Sequence, residues 1–298
     1  MTKKFILIIS LAFFYSFSGI AQSHDHEHSS ENHRTCGTVD YMQNLKESST
    51  SVKSNIENAE KDVQKWVKEN PNFNQQKALV IIPVVVHVLY AHTFHNISDA
   101  QVQSQIEVLN ADYRRLNADA INTPSLFSNA VADCEIQFCL AMQDPNGNYT
   151  NGITRTQTTK TSFNINNNEA KYDALGGKNI WDRTKYLNIW VVPAIDDNGA
   201  SGILGYAQMP GGPSSTDGVV IQYRNFGSMG TAIYPFNKGR TATHEVGHWL
   251  SLYHVWGDDG NACWGTDYCN DTPNQADENY GCPTYPQVSC NNTSDMYM

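Results

Sequence analysis

Thr241-Ala-Thr-His-Glu-Val-Gly-His-Trp-Leu-Ser-Leu-Tyr-His254 decides the reading of this chain. It holds His244-Glu245-x-x-His248 and a third histidine, His254, six residues further on. On a helix, residues four apart lie on one face, a turn apart, so His244 and His248 offer two imidazoles to one metal. Glu245 follows the first of them, where it reaches a metal-bound water without ligating the metal itself. His254 is out of phase with that face. It becomes a third ligand only if the helix stops and the chain turns back. Three neutral nitrogens and one open position describe a catalytic zinc site rather than a closed structural one. A bare His-Glu-x-x-His also occurs on exposed polar helix faces. The third histidine argues against that, and so do the flanking Val246, Trp249, Leu250, Leu252 and Tyr253, which suggest a buried helix whose histidines need partners.

Working outward toward the N-terminus, apolar runs bounded by turns read as strands. Gly218-Val-Val-Ile-Gln-Tyr223 is the last strand before the helix. Gly205-Tyr-Ala-Gln-Met-Pro210 is short and bounded by Gly and Pro, as suits an edge strand; an edge beside a metal site takes an extended peptide as a further strand. Tyr186–Pro193 and Gly152–Arg155 are extended, and Cys134–Leu140 alternates as a half-buried strand. Cys134 and Cys139 are an odd number apart and point to opposite faces, which disfavours a bond between them. Leu79–Leu89 is almost continuously apolar and β-branched, as in a strand buried on both faces. Pro83 within it suggests a bulge or an edge. His87 reads as a satisfied core residue rather than a ligand. Ser98 is a helix N-cap with Gln101 in the capping-box position. Val102, Ile106, Leu109, Tyr113 and Leu116 then form one apolar stripe.

The chain has 298 residues, 40% apolar and 17% charged, which fits a globular protein with a real core. A net charge of −10 without a basic stripe argues against a nucleic-acid partner. Lys3 and Lys4, the apolar run Phe5–Phe17 and the small residues Gly19-Ile20-Ala21 read as a secretory signal cut after Ala21, not a membrane anchor. No later segment approaches a membrane span. Seven cysteines in an oxidising compartment should mostly pair, which leaves at least one over. Residues 22–35 carry His24, His26, His28 and His33; this suits a disordered linker, with a metal-scavenging tail as the other reading. Cys36 follows. A cysteine in a pro-segment fills the open zinc position and keeps an enzyme latent; the alternative is a cysteine that pairs with another. Residues 41–69 are helix-compatible, with Val52, Ile56, Val63 and Trp66 as sparse apolar positions, and Asn70-Pro71-Asn72 breaks them. We read 22–77 as a propeptide, with its activating cut near 68–78, and 78–298 as the catalytic domain. Beyond His254 the chain is irregular and cysteine-rich, with Cys263, Cys269, Cys282 and Cys290, so it needs disulfides or an ion to order it.

Several of these stretches together resemble the pappalysin family of metzincin metallopeptidases, in its secreted bacterial form. They are Ile82-Pro-Val-Val-Val-His-Val88, the Ser98 helix through Leu109-Asn-Ala-Asp-Tyr-Arg-Arg115, the segment Phe138–Arg155, Leu187-Asn-Ile-Trp-Val191 and Leu204-Gly-Tyr-Ala-Gln-Met-Pro210. The zinc helix with its following Trp256-Gly-Asp258, Asn270-Asp-Thr-Pro-Asn-Gln275 and Gly281-Cys-Pro283 completes the set. The resemblance covers about residues 33–38 and 80–298. It implies an α/β, metzincin-like zincin: a twisted mixed sheet with backing and active-site helices above a horizontal cleft, and an irregular, disulfide-rich C-terminal subdomain below. It implies that His244, His248 and His254 bind zinc (Zn2+), that Glu245 is general base and then general acid in peptide-bond hydrolysis, and that Cys36 is the latency cysteine. It implies calcium (Ca2+) near Asp267 and Thr272, with Asn274 standing where an acidic ligand is expected, and a Cys263–Cys290 disulfide. Two departures stand out. Ser251 occupies a position, three before the third ligand, that is usually Gly, where positive φ strains a serine. The sequence also ends after Ser294-Asp-Met-Tyr-Met298, short of the family's methionine turn and of a partner for Cys282, so a continuation past Met298 is expected.

Two functions compete at this point. One is a secreted zinc endopeptidase made as a latent zymogen, with protein or peptide substrates bound as an extended strand. The other is a catalytically inactive zinc-binding surface or interaction protein. A metal scavenger led by the histidine tail is a third and weaker reading.

Overall fold

The computed structural model describes residues 35–70, 78–199, 202–281 and 283–296. The expected signal peptide, the histidine tail, the linker at 71–77, Cys282 and Met298 lie outside the described residues.

In chain order the elements are β1 (Thr35–Cys36), α1 (Thr38–Ser48), α2 (Thr50–Glu69), β2 (Val80–Tyr90), α3 (Asp99–Tyr113), β3 (Ile136–Leu140), β4 (Ile153–Gln157), β5 (Phe163–Asn164), β6 (Leu187–Val192), β7 (Ile195–Asp196), β8 (Ile203–Ala207), β9 (Val219–Gln222) and α4 (Arg240–Trp249). The main sheet runs β1-β8-β9-β6-β2-β3, with β4 also on β2. Only β8–β9 is antiparallel, so the sheet is mixed. β2 and β6 are its centre, and both faces of β6 are buried, which is why these two stretches are continuously apolar. Pro83 needs no bulge: β3 runs beside Val80–Val84 while the β6 ladder begins only at Val84. The proline thus sits where the strand is locally an edge.

One face of the sheet packs Val84, Val86, Val88, Ile189 and Ile221 against α3 (Ile106, Leu109, Tyr113) and α4 (Ala242, Val246). The other packs Leu89, Trp190, Val192, Tyr206 and Val220 against Tyr41, Met42, Leu45 and Ile56 of α1 and α2. The N-terminal segment therefore completes a core. His87 lies between Thr154 Oγ1 (2.7 Å) and Asn188 Oδ1 (3.0 Å). Burial holds its pKa down to about 4, so it is a neutral core residue.

Three boundaries differ from the sequence reading. The charged stretch at 41–69 is two helices, because Ser49 turns extended (φ −164°) and caps α2 through Ser51 N at 3.2 Å. Of the sparse apolar positions on α2, Ile56 is buried and Trp66 is half exposed. α3 ends at Tyr113 and Arg115 takes φ 51°, which leaves Leu116 75% exposed rather than in the stripe. β3 starts at Ile136, not Cys134, because Glu135 takes φ 54° and its N–H is held by Asp133 Oδ1 at 2.8 Å. Cys134 and Cys139 are both exposed and no disulfide joins them.

Beyond Trp249 the described chain has no helix or strand. Cys263 and Cys290 are joined by a disulfide there. No described helix is long and apolar enough to cross a membrane.

Candidate active site

α4 is fixed before any ligand is considered. Ala242 and Val246 enter the core. Tyr113 Oη donates to Thr243 O (3.1 Å), Thr243 Oγ1 to Asp112 Oδ2 (2.6 Å), and Trp249 Nε1 to Asp217 Oδ1 (2.8 Å). That rotation turns His244, Glu245 and His248 toward β8. The approach is close: a Cβ on Gly205 would come within 3.0 Å of Glu245 Cγ and 2.7 Å of Ile221 Cδ1.

The helix then stops in a Schellman turn. Ser251 N donates to His248 O and Leu252 N to Gly247 O, each at 2.9 Å, with Ser251 at φ 76°. Leu252 is thrown outward to 55% exposure, unlike the buried position its apolar neighbours suggested. The same turn returns the chain and brings His254 back over the helix. Serine keeps the left-handed conformation at a cost of about 1–2 kcal/mol. Ser251→Gly relieves that against a chain-entropy loss of about 0.5–1 kcal/mol. We expect it to raise Tm by a degree or more in a thermal melt; an unchanged or lower Tm would show that this turn holds no strain.

His244, His248 and His254 meet at their Nε2 atoms, 3.0, 3.1 and 3.1 Å apart. Hydrogen bonds alone do not explain this triangle. His248 Nδ1 donates to Leu252 O and His254 Nδ1 to Asp258 Oδ1, each at 2.7 Å. In the neutral tautomers those bonds select, the Nε2 atoms of His248 and His254 are lone pairs aimed at one point beside His244 Nε2. A cation held among the three nitrogens makes that convergence favourable. Tetrahedral zinc with bonds of about 2.0–2.1 Å holds nitrogens about 3.3 Å apart, so the donor set fits it. Trp256 stacks on the His254 ring (4.2 Å, 13°). Trp256 and Asp258 were not singled out as site residues from the sequence; their signal was Trp-Gly-Asp beginning two residues after the third histidine.

Cys36 comes from the other end of the chain to the same point. Its Sγ lies 3.5 Å from His248 Nε2 and 3.5 Å from Glu245 Oε2. With the three histidines it forms a group whose donor atoms lie within 4.8 Å of one another. Burial first, and then the Glu245 carboxylate, push the thiol pKa well up; a cation would reverse that. β1 adds itself to β8 in parallel, and Gly37 N donates to Gly205 O at 2.9 Å. The β8 edge thus takes an extended chain.

Thr38 is the residue that sequence reasoning missed. It is buried (1% exposed) and donates to Glu245 Oε2 at 2.8 Å, while its hydroxyl accepts from Ala207 N at 2.9 Å. One hydroxyl occupies both the helix carboxylate and an edge N–H. Its signal was its place two residues after Cys36.

Asp267 and Thr272 also come together, as a hydrogen-bonded pair. Thr272 Oγ1 donates to Asp267 Oδ2 at 2.7 Å and Cys269 N to Oδ1 at 2.9 Å. Asn274 Nδ2 donates to Cys263 O at 3.2 Å. Here these groups close a loop.

The family model described as Peptidase M43, pregnancy-associated plasma protein-A, matches residues 170–296. An extracellular metalloprotease of Colletotrichum graminicola is 32% identical over 240 residues, 72% of this chain and 69% of its own. The chain belongs to the pappalysin family. A second pappalysin relative, an extracellular metalloprotease of Arthroderma otae, is 33% identical over 218 residues, 71% of this chain; the chain spans 65% of that protein's length. Among solved structures, mature mirolysin of Tannerella forsythia in complex with a cleaved peptide superposes with a TM-score of 0.70 at 53% identity, covering 74% of this chain and 82% of that one. A promirolysin mutant from the same organism gives 0.76 at 46% identity, covering 89% of this chain and 84% of that one. The pappalysin fold, with its mixed sheet and zincin helix, is therefore the fold of this chain.

Proposed function

We propose that this chain is an exported zinc endopeptidase made in latent form: residues 22–77 are the propeptide and 78–298 the peptidase. One observation carries the proposal. Three imidazole nitrogens and the Cys36 sulfur, far apart in the chain, converge on one point beside a buried carboxylate.

His244, His248 and His254 hold the zinc, and Cys36 closes the remaining position until the N-terminal segment is cut away. A zinc ion there lowers the pKa of water and polarises a carbonyl. The chain's own groups do the rest. β8 orders an extended peptide along its outer edge, as it orders β1 now. Glu245 takes a proton at its carboxylate and returns it to the leaving nitrogen. Asp258 and Leu252 O keep His254 and His248 in the ligating tautomer. Gly205 carries no Cβ, which lets Glu245 Cγ lie directly against β8.

The test is cleavage of a fluorogenic peptide by the secreted, processed protein, with a zinc chelator in one arm and zinc restored in another. Cleavage abolished by the chelator and recovered with zinc is the expected result. Bound zinc with no cleavage, before and after removal of residues 22–77, overturns the enzyme reading in favour of a binding protein.

Thr38 gives a second check. Thr38→Val keeps the volume but leaves Glu245 and Ala207 N short of a partner, about 1–3 kcal/mol against the docked state. Self-processing of the intact chain should run about tenfold faster at 1.4 kcal/mol. A gel time course with the parent's lag would rule this role out.

A further inference from the structure

Lys171 is fully buried and takes no part in the site above. Its Nζ donates to Thr216 O at 2.6 Å and to Tyr41 Oη at 3.2 Å. It lies 4.8, 4.9 and 5.6 Å from the ring centroids of Tyr41, Tyr206 and Trp190. Burial pushes its pKa down to about 7, with Asp217 opposing. Tyr41 Oη in turn donates to Asn168 Oδ1 at 2.6 Å, and Gln208 Oε1 lies 3.3 Å away. The Tyr41 and Tyr206 rings are 4.8 Å apart.

Tyr41 is thus a plug from the N-terminal segment: the partners named here come from residues 168–208 of the body, and Thr216 adjoins its hydroxyl as well. A cavity of about 240 Å³ adjoins it, lined on one side by α1 (Tyr41, Asn44, Leu45 and Ser48) and on the other by the body, including Asn168 and Tyr172. The pocket is built for a phenol. The hydroxyl answers an ammonium donor and an amide acceptor at once, and the ring faces a cation and another ring. A phenylalanine in the same place leaves both polar groups unanswered.

We propose that, once residues 22–77 have left, this pocket binds a tyrosine side chain of the peptide substrate. The proposal rests on the latent-peptidase reading given above. One wall of the pocket, Tyr206, belongs to β8, the strand that β1 lies along. Cys36 and Tyr41 are five residues apart, a span of at most about 18 Å. An extended substrate covers that in about five residues at 3.4 Å each, so the preferred tyrosine falls within about five residues of the bond that is cut.

Two measurements test it. The first needs no turnover, so it separates this pocket from the peptidase reading. In the full chain carrying Tyr41→Gly, 4-methylphenol should raise Tm by a few degrees more than toluene does. The difference should vanish when Lys171→Met or Asn168→Gly is added. If Tyr41→Gly does not fold, N-acetyltyrosinamide and N-acetylphenylalaninamide are titrated into the metal-stripped, processed chain, with the first expected to bind at least about tenfold tighter. The second measurement uses the processed enzyme and alanine-rich peptides in which one tyrosine is walked along either side of the cut. At one position tyrosine should exceed phenylalanine at least about tenfold in kcat/KM. Lys171→Met should erase that preference, so that the tyrosine and phenylalanine peptides are cut with equal kcat/KM. Equal responses to phenol and toluene, equal affinity for the two amides, or a tyrosine preference that survives Lys171→Met would each overturn the proposal. If no peptide is cut at all, the enzyme reading fails and the first measurement alone decides the pocket.

Discussion

Processed chain carrying Glu245→Ala is expected to keep its zinc and lose peptide cleavage by at least about 10²–10⁴-fold in kcat, the range for removing a positioned general base. The carboxylate is 1% exposed and beside the Nε2 triangle without being part of it. Two of the three histidines are oriented by groups other than Glu245: His248 by Leu252 O and His254 by Asp258. Removing Glu245 therefore leaves the donor set standing, and metal content should match the parent within error. KM should change little, because β8 and not Glu245 aligns the substrate. Glu245→Gln is the companion variant; it keeps the volume and removes only the basic oxygen. Turnover within tenfold of the parent in both variants would sink the assigned role. Loss of zinc along with turnover would instead make Glu245 a structural support of the site.

What was legible in the sequence follows from range. The β2 and β6 runs were readable because a strand buried on both faces needs no polar alternation, and α3 was readable because its stripe is local. The edge character of β8 was also readable, from Gly and Pro at its bounds. The helix under the histidines and its abrupt stop were written in the spacing from His248 to His254. Ser251 at φ 76° is the strained position that its place before the third histidine suggested. Long-range polar locks were not legible. Gln101 illustrates this: its N–H donates to the capping Ser98 Oγ, but its side chain does not close a capping box. It reaches across to Tyr223 O, Phe226 O and Thr231 N. Thr38 and Lys171 are of the same kind. A hydroxyl or an ammonium carries no periodicity, and its partner lies 169 residues away for Thr38 and Ala207, or 130 for Lys171 and Tyr41. The break at Ser49 escaped for a different reason: in a stretch with so few apolar residues, no stripe exists to show where one helix ends.

Cys36→Ala in the full chain is expected to abolish most of the latency while leaving the fold intact. The two functions of the N-terminal segment are separable because they rest on different residues. Tyr41, Met42, Leu45 and Ile56 belong to the second core and hold α1 and α2 on the sheet. The sulfur alone enters the donor cluster. A four-ligand zinc site is worth about 10–16 kcal/mol, so one ligand contributes about 3 kcal/mol, or about a hundredfold in the closed population. Removing it should raise the activity of unprocessed chain by about that factor and shorten the lag before self-processing, with Tm within a few degrees of the parent. Cys36→Ser should fall between, since a hydroxyl is a poorer zinc ligand than a thiolate. Thr38→Val should act in the same direction and more weakly, through the base and the edge N–H, not the metal. If Cys36→Ala shows the parent's lag, then the packed helices alone keep the site closed and the sulfur is incidental. If instead the variant is active but unfolds early, the sulfur is a structural staple, and latency has to be sought in Thr38.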